Sequence, residues 1–474
     1  MADRKVDLFV IGGGTAGLVA SLIAAGAGAR VVLAERSAAP GGDCLWTGCV
    51  PSKALIAAAT RAHDMRTAPD VGIGRADPRI DFAAVMEHVR GAQRRLAPHD
   101  SSERLRSEGV EVVQGTARFT GERTAEVSGR TFRFRRAFIA TGSRPAILPI
   151  PGIDEVDVLT NESVWDLREL PQRLVIIGGG PIGCELGQAF ARLGSAVTLI
   201  EATDRLLGKE EPRAGSLVRE RLESDGATVL AGARVSSVSA GRLEVEGHGD
   251  APFDRLLVAA GRHAESDGLD LAAAGVETRQ GKVTVDGHLR TSNRAVYAGG
   301  DVIGALPFTH VAAYHARTAA MNALFLTRRS VDHEAVPWVT FTDPEVARVG
   351  LSEDQARERW GERTTCVDFE YADLDRAVTA GQEHGFARLV GDRRGRLVGA
   401  TIAAPAAGES IAELAVWVAK RGRIADVSQA VHAYPTFGEG PARAADEHLR
   451  RRFQRPAVRR VTRPVLTALR LASR

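Results

Sequence analysis

The chain has 474 residues, 44 % of them hydrophobic, with only four cysteines and a formal charge of +3. That length leaves room for two to four domains around substantial cores. The cysteine count excludes a secreted disulfide scaffold, the charge is too small to point to nucleic acid, and no apolar stretch reaches the length of a membrane span. Met1 to Val10 carries no signal-peptide pattern and runs straight into a strand, so the expected location is the cytoplasm.

The first element is the buried-strand run Val6-Asp7-Leu8-Phe9-Val10-Ile11. Gly12-Gly13-Gly14-Thr15-Ala16-Gly17 follows, then an alanine-rich helix, then Arg30-Val31-Val32-Leu33-Ala34-Glu35. The same succession returns later. Leu174-Val175-Ile176-Ile177 leads into Gly178-Gly179-Gly180-Pro181-Ile182-Gly183, a helix, and Ala196-Val197-Thr198-Leu199-Ile200-Glu201. In both copies the acid stands 23 residues after the first glycine. A lone GxGxxG is weak evidence. One with its strand, helix, second strand and terminal acid is strong. Gly12 and Gly178 permit the tight turn, Gly14 and Gly180 let the backbone approach a pyrophosphate, and Gly17 and Gly183 let helix and strand pack closely. The helix N-terminus offers free N–H groups and a positive dipole end to phosphate. Glu35 and Glu201 can accept hydrogen bonds from a ribose diol. The alternative is a pair of ordinary α/β turns that bind nothing.

Between the copies lies Gly41-Gly42-Asp43-Cys44-Leu45-Trp46-Thr47-Gly48-Cys49-Val50-Pro51-Ser52-Lys53. A disulfide needs Cα atoms within roughly 7 Å, and five residues of regular helix rise about 7.5 Å. Cys44 and Cys49 can therefore close a bond only if the segment leaves ideal helix, and Gly48 is expected to supply that freedom. Pro51 suits the first turn of a following helix, where a missing N–H costs nothing. Lys53 is one of only five lysines in the chain. The pattern reads as a redox centre. Metal binding is the alternative, but no further Cys or His stands nearby at ligand spacing, and no metal site is expected. Two dinucleotide sites and a cysteine pair suggest an electron relay, with flavin at the first site, which the cysteines follow, and nicotinamide at the second. Glu201 favours NADH over NADPH, because a carboxylate there accepts from a 2′-hydroxyl and repels a 2′-phosphate. Arg205, four residues on, tempers that preference. Cys184, directly after Gly183, and Cys366, in a strand-like run, read as packed thiols.

These residues resemble the flavoprotein disulfide reductases, the class I pyridine nucleotide-disulfide oxidoreductases, over nearly the whole chain to about residue 450. Further stretches carry the likeness in family order. Ala140-Thr141-Gly142 resembles the strand-end motif of the FAD domain, and Ala259-Ala260-Gly261-Arg262 its counterpart after the NAD domain. Ala298-Gly299-Gly300-Asp301 resembles the second FAD motif, whose aspartate holds the ribitol chain. His310-Val311-Ala312 resembles the segment beneath the flavin, and Phe341-Thr342-Asp343-Pro344-Glu345 the opening of the dimerisation domain. The resemblance implies an α/β fold with two Rossmann-type dinucleotide-binding domains, for FAD and NAD(P), and a C-terminal α+β dimerisation domain. The expected parts are an FAD-binding domain over 1–150 with the redox pair, an NAD(P)-binding domain over 151–270, the second FAD-binding part over 271–335, the dimerisation domain over 336–450 and a basic tail over 451–474. It implies a homodimeric FAD enzyme that oxidises NADH or NADPH. Gly42, Lys53, Thr141, Gly142, Gly261, Asp301 and Ala312 join the glycine loops as cofactor-binding positions. Cys49 is then the flavin-facing thiol, Cys44 the interchange thiol that meets substrate, and Glu185 the partner of Lys53.

The segment His432-Ala433-Tyr434-Pro435-Thr436-Phe437-Gly438-Glu439 departs from the family pattern. Thiol-oxidising members have a histidine where Tyr434 stands and a glutamate, here Glu439, that orients it. A tyrosine titrates near 10, so it is a poor base at neutral pH, although it can donate a hydrogen bond. His432 is the alternative base, displaced by about 6–7 Å along an extended chain. A tyrosine at this place resembles mercuric reductase, but the metal-binding domain and terminal cysteine pair of that enzyme are not expected here. The implied function is NAD(P)H-dependent reduction of a small-molecule acceptor that the sequence does not name. Dihydrolipoyl-dehydrogenase-like dithiol oxidation is one alternative, and a flavin-bound redox sensor acting on a protein partner is another. The tail from Arg451 to Arg474 holds eight arginines and no acid, with Val465, Leu469 and Ala472 on one helical face and Leu466 beside them. It reads as a solvated extension or as a peripheral contact with an anionic membrane surface.

Overall fold

The computed structural model describes residues 4–325, 327–454 and 456–473. Residues 1–3 of the Met1 to Val10 stretch and Arg455 and Arg474 of the basic tail lie outside them. The chain divides into two compact units. The first comprises Met1–Arg66, Ala76–Ala202 and Gly226–His333, and the second Thr67–Arg75, Thr203–Asp225 and Glu334–Arg474.

The first unit holds both dinucleotide folds. In the first fold the strands run in the order Val110–Gln114, Val31–Glu35, Arg4–Ile11 and Arg130–Ile139, all parallel. Val296–Ala298 extends the parallel set beside Ala137–Ile139, while the near half of the same long strand pairs with an antiparallel hairpin. Val31–Glu35 is buried at every residue, as a parallel strand covered on both faces must be. Phe9, Phe119, Phe132 and Phe134 pack on one face of the sheet. On the other face Leu8, Val10 and Leu33 meet the helices Thr15–Gly26 and Thr309–Phe325. In the second fold the order is Thr228–Ala231, Ala196–Glu201, Arg173–Ile177, Arg255–Val258 and Val158–Leu159, again all parallel. Its helix Pro181–Leu193 is buried from Gly183 onward.

The second unit is an antiparallel sheet in the order Pro337–Thr340, Glu345–Gly350, Leu397–Ala404, Phe386–Gly391 and Thr365–Glu370. Helices Ala407–Ala419, Ile424–Gln429 and Glu439–Gln454 bury Ile411, Leu414, Val427, Ala444 and Ala445 in its core. Residues 203–225 group with this unit rather than with the second dinucleotide fold, although the expected boundaries at 151 and 270 enclose them. Side-chain pairs join the segment to this unit. Glu210 pairs with Arg348 at 2.9 Å and accepts Trp338 Nε1 at 2.7 Å, Glu211 pairs with Arg388 at 3.1 Å, and Arg221 pairs with Asp343 at 3.0 Å.

The Glu210–Arg348 pair is buried on both sides, and burial holds the Glu210 carboxyl above its usual range against the opposing pull of Arg348. Removing one partner of a buried pair strands the other charge. Arg348→Met is therefore expected to cost about 3–5 kcal/mol at neutral pH. The variant raises the folded-state pKa of Glu210 further, so its penalty applies above that pKa and is relieved as pH falls and the folded protein takes up the proton. Urea denaturation at about pH 7.5 and about pH 5.5 checks this, and a deficit that does not shrink at the lower pH refutes it.

Candidate active site

The two glycine loops repeat each other in detail. Gly12 has φ +99° and Gly178 φ +115°, which favour glycine. A β-carbon on Gly12 would stand 2.5 Å from Ala140 O, and one on Gly178 2.7 Å from Ala259 O, so each loop seats directly on its strand-end motif. A β-carbon on Gly17 would meet Gly12 O at 1.8 Å, and one on Gly183 would meet Gly178 O at 1.9 Å. Gly14 and Gly180 stand immediately before the helices Thr15–Gly26 and Pro181–Leu193, with no side-chain cap to occupy the helix N-terminus. Glu35 accepts Gly13 N at 2.5 Å and Ser37 N at 2.6 Å, while Glu201 accepts Gly179 N at 2.7 Å. Each acid thus lies against the loop whose phosphate and ribose it would bracket. A cavity of about 180 Å³ opens beside Glu35, lined also by Ser37, Pro40, Ser102, Arg106 and Gln114. These features fit a dinucleotide at each loop.

The cysteine segment breaks into two helices, Gly42–Trp46 and Cys49–Thr67. Pro51 falls in the first turn of the second, where the earliest ladder bond is Ser52 N to Gly48 O at 3.1 Å. Gly48 does not supply unusual backbone freedom, contrary to expectation. Positive φ falls instead on Gly41 at +124° and Gly42 at +57°. Gly48 is required because a β-carbon there would stand 2.8 Å from Asp43 O. Gly42 packs on the first nucleotide loop, since its β-carbon would come within 2.7 Å of Gly14 Cα.

Both cysteines are present as thiols, Cys44 half-buried and Cys49 exposed. Cys49 opens its helix, where the dipole favours an anion. A hydrogen bond from Cys44, another from Thr309 and the charge of Lys53 draw the Cys49 thiol down to about 6 against the effect of burial. Cys49 Sγ lies 3.3 Å from Thr309 Oγ1. The bond to Cys49, then burial, push the Cys44 thiol up. The thiolate therefore belongs to Cys49 and the proton to Cys44. Lys53 Nζ donates to Glu185 Oε2 at 2.7 Å, and Glu185 is buried. A carboxylate buried at this depth is costly without such a partner, and Lys53 supplies it.

Asp301 is tied in by a polar chain. Ser143 Oγ donates to Asp301 Oδ2 at 2.6 Å, Arg262 Nε donates to Ser143 Oγ at 2.7 Å, and Arg262 also bonds Asp43. The strands Ser143–Pro145 and Arg262–Ala264 pair antiparallel, which brings the two strand-end motifs together. Thr141 Oγ1 donates to Glu265 O at 2.5 Å, and Gly142 and Gly261 hold positive φ. Ala312 lies in the helix Thr309–Phe325, and a β-carbon on Gly300 would stand 3.5 Å from the one on Ala312.

In the second unit Tyr434 is exposed and donates its hydroxyl to Asp375 Oδ2 at 2.7 Å, which raises its pKa above the ordinary tyrosine value. Glu439 does not reach Tyr434. It accepts Thr436 N at 3.2 Å and pairs with Arg443 at 3.2 Å. His432 has Nδ1 2.9 Å from Ala430 O and Nε2 2.8 Å from Glu413 Oε2, so both ring nitrogens are engaged within the second unit. Sequence reasoning missed Thr309, Asp43, Ser143, Arg262 and Asp375 as contributors. For Thr309 the signal was present: it stands beside the noted His310-Val311-Ala312 segment. Cys184 is fully buried with its thiol pushed up, and Cys366 is half-buried with its thiol pushed up by burial.

The profile of the family described as pyridine nucleotide-disulphide oxidoreductase matches residues 6–316, and that of the family's dimerisation domain matches residues 336–445. Mercuric reductase of Staphylococcus aureus is 34 % identical over 452 residues, spanning 94 % of this chain and 82 % of the relative. Dihydrolipoyl dehydrogenase 2 of Haloarcula marismortui is 35 % identical over 460 residues, spanning 93 % and 96 %. Among solved structures, LpdA from Mycobacterium tuberculosis superposes with a TM-score of 0.85 at 28 % identity, over 94 % of this chain and all of that one. The Cu(II) complex of the HOCl-induced flavoprotein disulfide reductase RclA from Escherichia coli does so with a TM-score of 0.84 at 27 % identity, over 94 % and 99 %.

The asymmetry of the two thiols has a direct readout. Alkylation of the reduced protein by iodoacetamide is expected to label Cys49 first, with a rate that rises through about pH 6 and then levels. Cys44→Ala removes the largest stabilising bond and moves that midpoint toward the free-thiol value of about 8.5. Peptide mapping across pH measures both. A wild-type midpoint already near 8.5, or faster labelling of Cys44, overturns the assignment.

Proposed function

We propose that this chain, which belongs to the pyridine nucleotide-disulphide oxidoreductase family, carries electrons from NADH to a small thiophilic acceptor, a soft metal ion first among them, and is not a dihydrolipoyl dehydrogenase. The family makes the protein an FAD- and NAD(P)H-using oxidoreductase with a dimerisation domain, which supports a homodimer. FAD, when bound, supplies the two-electron exchange between the nicotinamide and the cysteine pair.

The chain's own residues prepare the thiol end. Cys44 and Thr309 donate to Cys49, and Lys53 adds positive charge, which together stabilise the thiolate. Glu185 holds Lys53 in place. The observation that carries the reading is Tyr434 with its hydroxyl given to Asp375. A dithiol substrate must lose protons as it attacks a disulfide, and a positioned base contributes about 10²–10⁴-fold to such a step. Tyr434 is a donor with a raised pKa, and both nitrogens of His432 face acceptors. A soft metal ion needs no such base, because thiolates bind it directly. In this reading the ion is substrate and is met by Cys44 and Cys49. Two kinds of relative fit this reading: the mercuric reductases by name, and RclA by its Cu(II) complex.

The test is a steady-state comparison of the flavin-loaded protein. NADH oxidation is measured with Hg(II), Cu(II), quinones and disulfides, and NAD⁺ reduction with dihydrolipoamide. Wild type is expected to favour a metal ion and to turn over dihydrolipoamide poorly. Tyr434→His is expected to raise kcat/KM for dihydrolipoamide at neutral pH by at least about tenfold, part of the range a general base supplies. Dihydrolipoamide as the best wild-type substrate sinks the proposal. NADH is expected to exceed NADPH in kcat/KM by at least about tenfold, the equivalent of one unfavourable charge contact at Glu201. Arg205 does not change that expectation, since its guanidinium donates to Gly208 O at 3.0 Å. A clear NADPH preference refutes the role given to Glu201.

A further inference from the structure

The redox and nucleotide residues leave one element without a task. The helix Pro456–Ala472 buries no residue. Its side chains separate by type around the axis. At about 100° per residue, Val458, Val461, Val465, Leu469 and Ala472 fall within one arc of about 80°. Arg459, Arg460, Arg463 and Arg470 fall within an arc of about 100° on the opposite side. Val461, Val465 and Leu469 are 68 %, 54 % and 61 % exposed, while Leu466 and Leu471 stand at the two borders of the arginine arc. Residues 451–474 contain no acid, so the helix has no carboxylate of its own to neutralise its arginines. The nearest acidic partner in sequence, Glu447, already pairs with Arg450 and Arg451.

We infer that this helix lies on an anionic lipid surface, with its valine and leucine face in the acyl boundary and its arginines at the headgroups. Each half of the arrangement narrows the choice. Nucleic acid would meet the arginines and leave the apolar face in water. A second copy of the helix would cover the apolar face and leave both sets of arginines without counter-charge. An anionic bilayer meets both demands at once. The helix lies on the surface rather than through it, because among the described residues no helix is long and apolar enough to cross a membrane.

The experiment is co-sedimentation of the full-length, flavin-loaded protein with vesicles. Binding to phosphatidylcholine vesicles with about 30 % phosphatidylglycerol is expected to exceed binding to phosphatidylcholine alone at least about tenfold. It is expected to weaken as salt rises from about 0.05 M to about 0.5 M. The double variant Val465→Glu/Leu469→Glu and the quadruple variant Arg459→Gln/Arg460→Gln/Arg463→Gln/Arg470→Gln are each expected to lose at least about tenfold in binding. NADH oxidation in solution should be unchanged in both. Three results overturn the inference. One is equal binding to neutral vesicles, or none to anionic ones. Another is a double variant that still binds anionic vesicles, or that binds duplex DNA as tightly as wild type binds vesicles. The third is a change in oligomeric state by light scattering in the double variant, which assigns the face to a second copy.

Discussion

A β-carbon on Gly42 would lie 2.7 Å from Gly14 Cα, so the redox loop can rest on the first nucleotide loop only with glycine at position 42. That contact fixes where Cys44 and Cys49 sit relative to the helix N-terminus that offers its amides to a phosphate. Its conformation demands glycine a second time, because Gly42 also has φ +57°. The rest of the thiol chemistry follows from this placement. Cys49 starts a helix, Thr309 starts another, and both ends meet at a sulfur atom that burial alone would keep protonated.

The two dinucleotide folds repeat one solution, and the protein differentiates them by what it adds. Both turn on a positive-φ glycine seated against a strand-end carbonyl, and both tether an acid to the amide of the residue that follows it, Gly13 or Gly179. The first copy gains the cysteine loop. The second gains Glu185, two residues beyond its third glycine, which holds Lys53 of the first copy's loop. A buried carboxylate and a lysine that each need the other make a directional link between the halves. Arg262 makes another by joining Asp43 to Ser143 and hence to Asp301. The Asp43 carboxyl is held above its usual range by burial and pulled back by Arg262. That arginine therefore steadies the residue directly before Cys44.

Local pattern made the strand–glycine–helix–strand–acid units legible, because each is a contiguous piece of backbone with one steric requirement per glycine. The same logic failed at Gly48, where the requirement is clearance from Asp43 O rather than a rare φ, a difference invisible in residue type. Thr309 stands 260 positions from Cys49, and Asp375 stands 59 from Tyr434, so neither partnership leaves a spacing to read. The carboxylates and arginines of residues 203–225 answer charges on strands more than a hundred residues away, such as Arg348 and Arg388, partnerships that no local spacing announces.

The retained glutamate is the most instructive of these cases. By resemblance, Glu439 is expected to orient a side chain at position 434. In the folded protein Glu439 opens the helix Glu439–Gln454, accepts the amide of Thr436 and pairs one turn on with Arg443. A carboxylate at a helix N-terminus is favourable whatever stands at 434. Its retention therefore carries no information about proton transfer. The residue that does speak to the chemistry is Asp375, which binds the Tyr434 hydroxyl and makes it harder to ionise. The one hydroxyl proton of Tyr434 is thereby committed to Asp375, within the second unit itself.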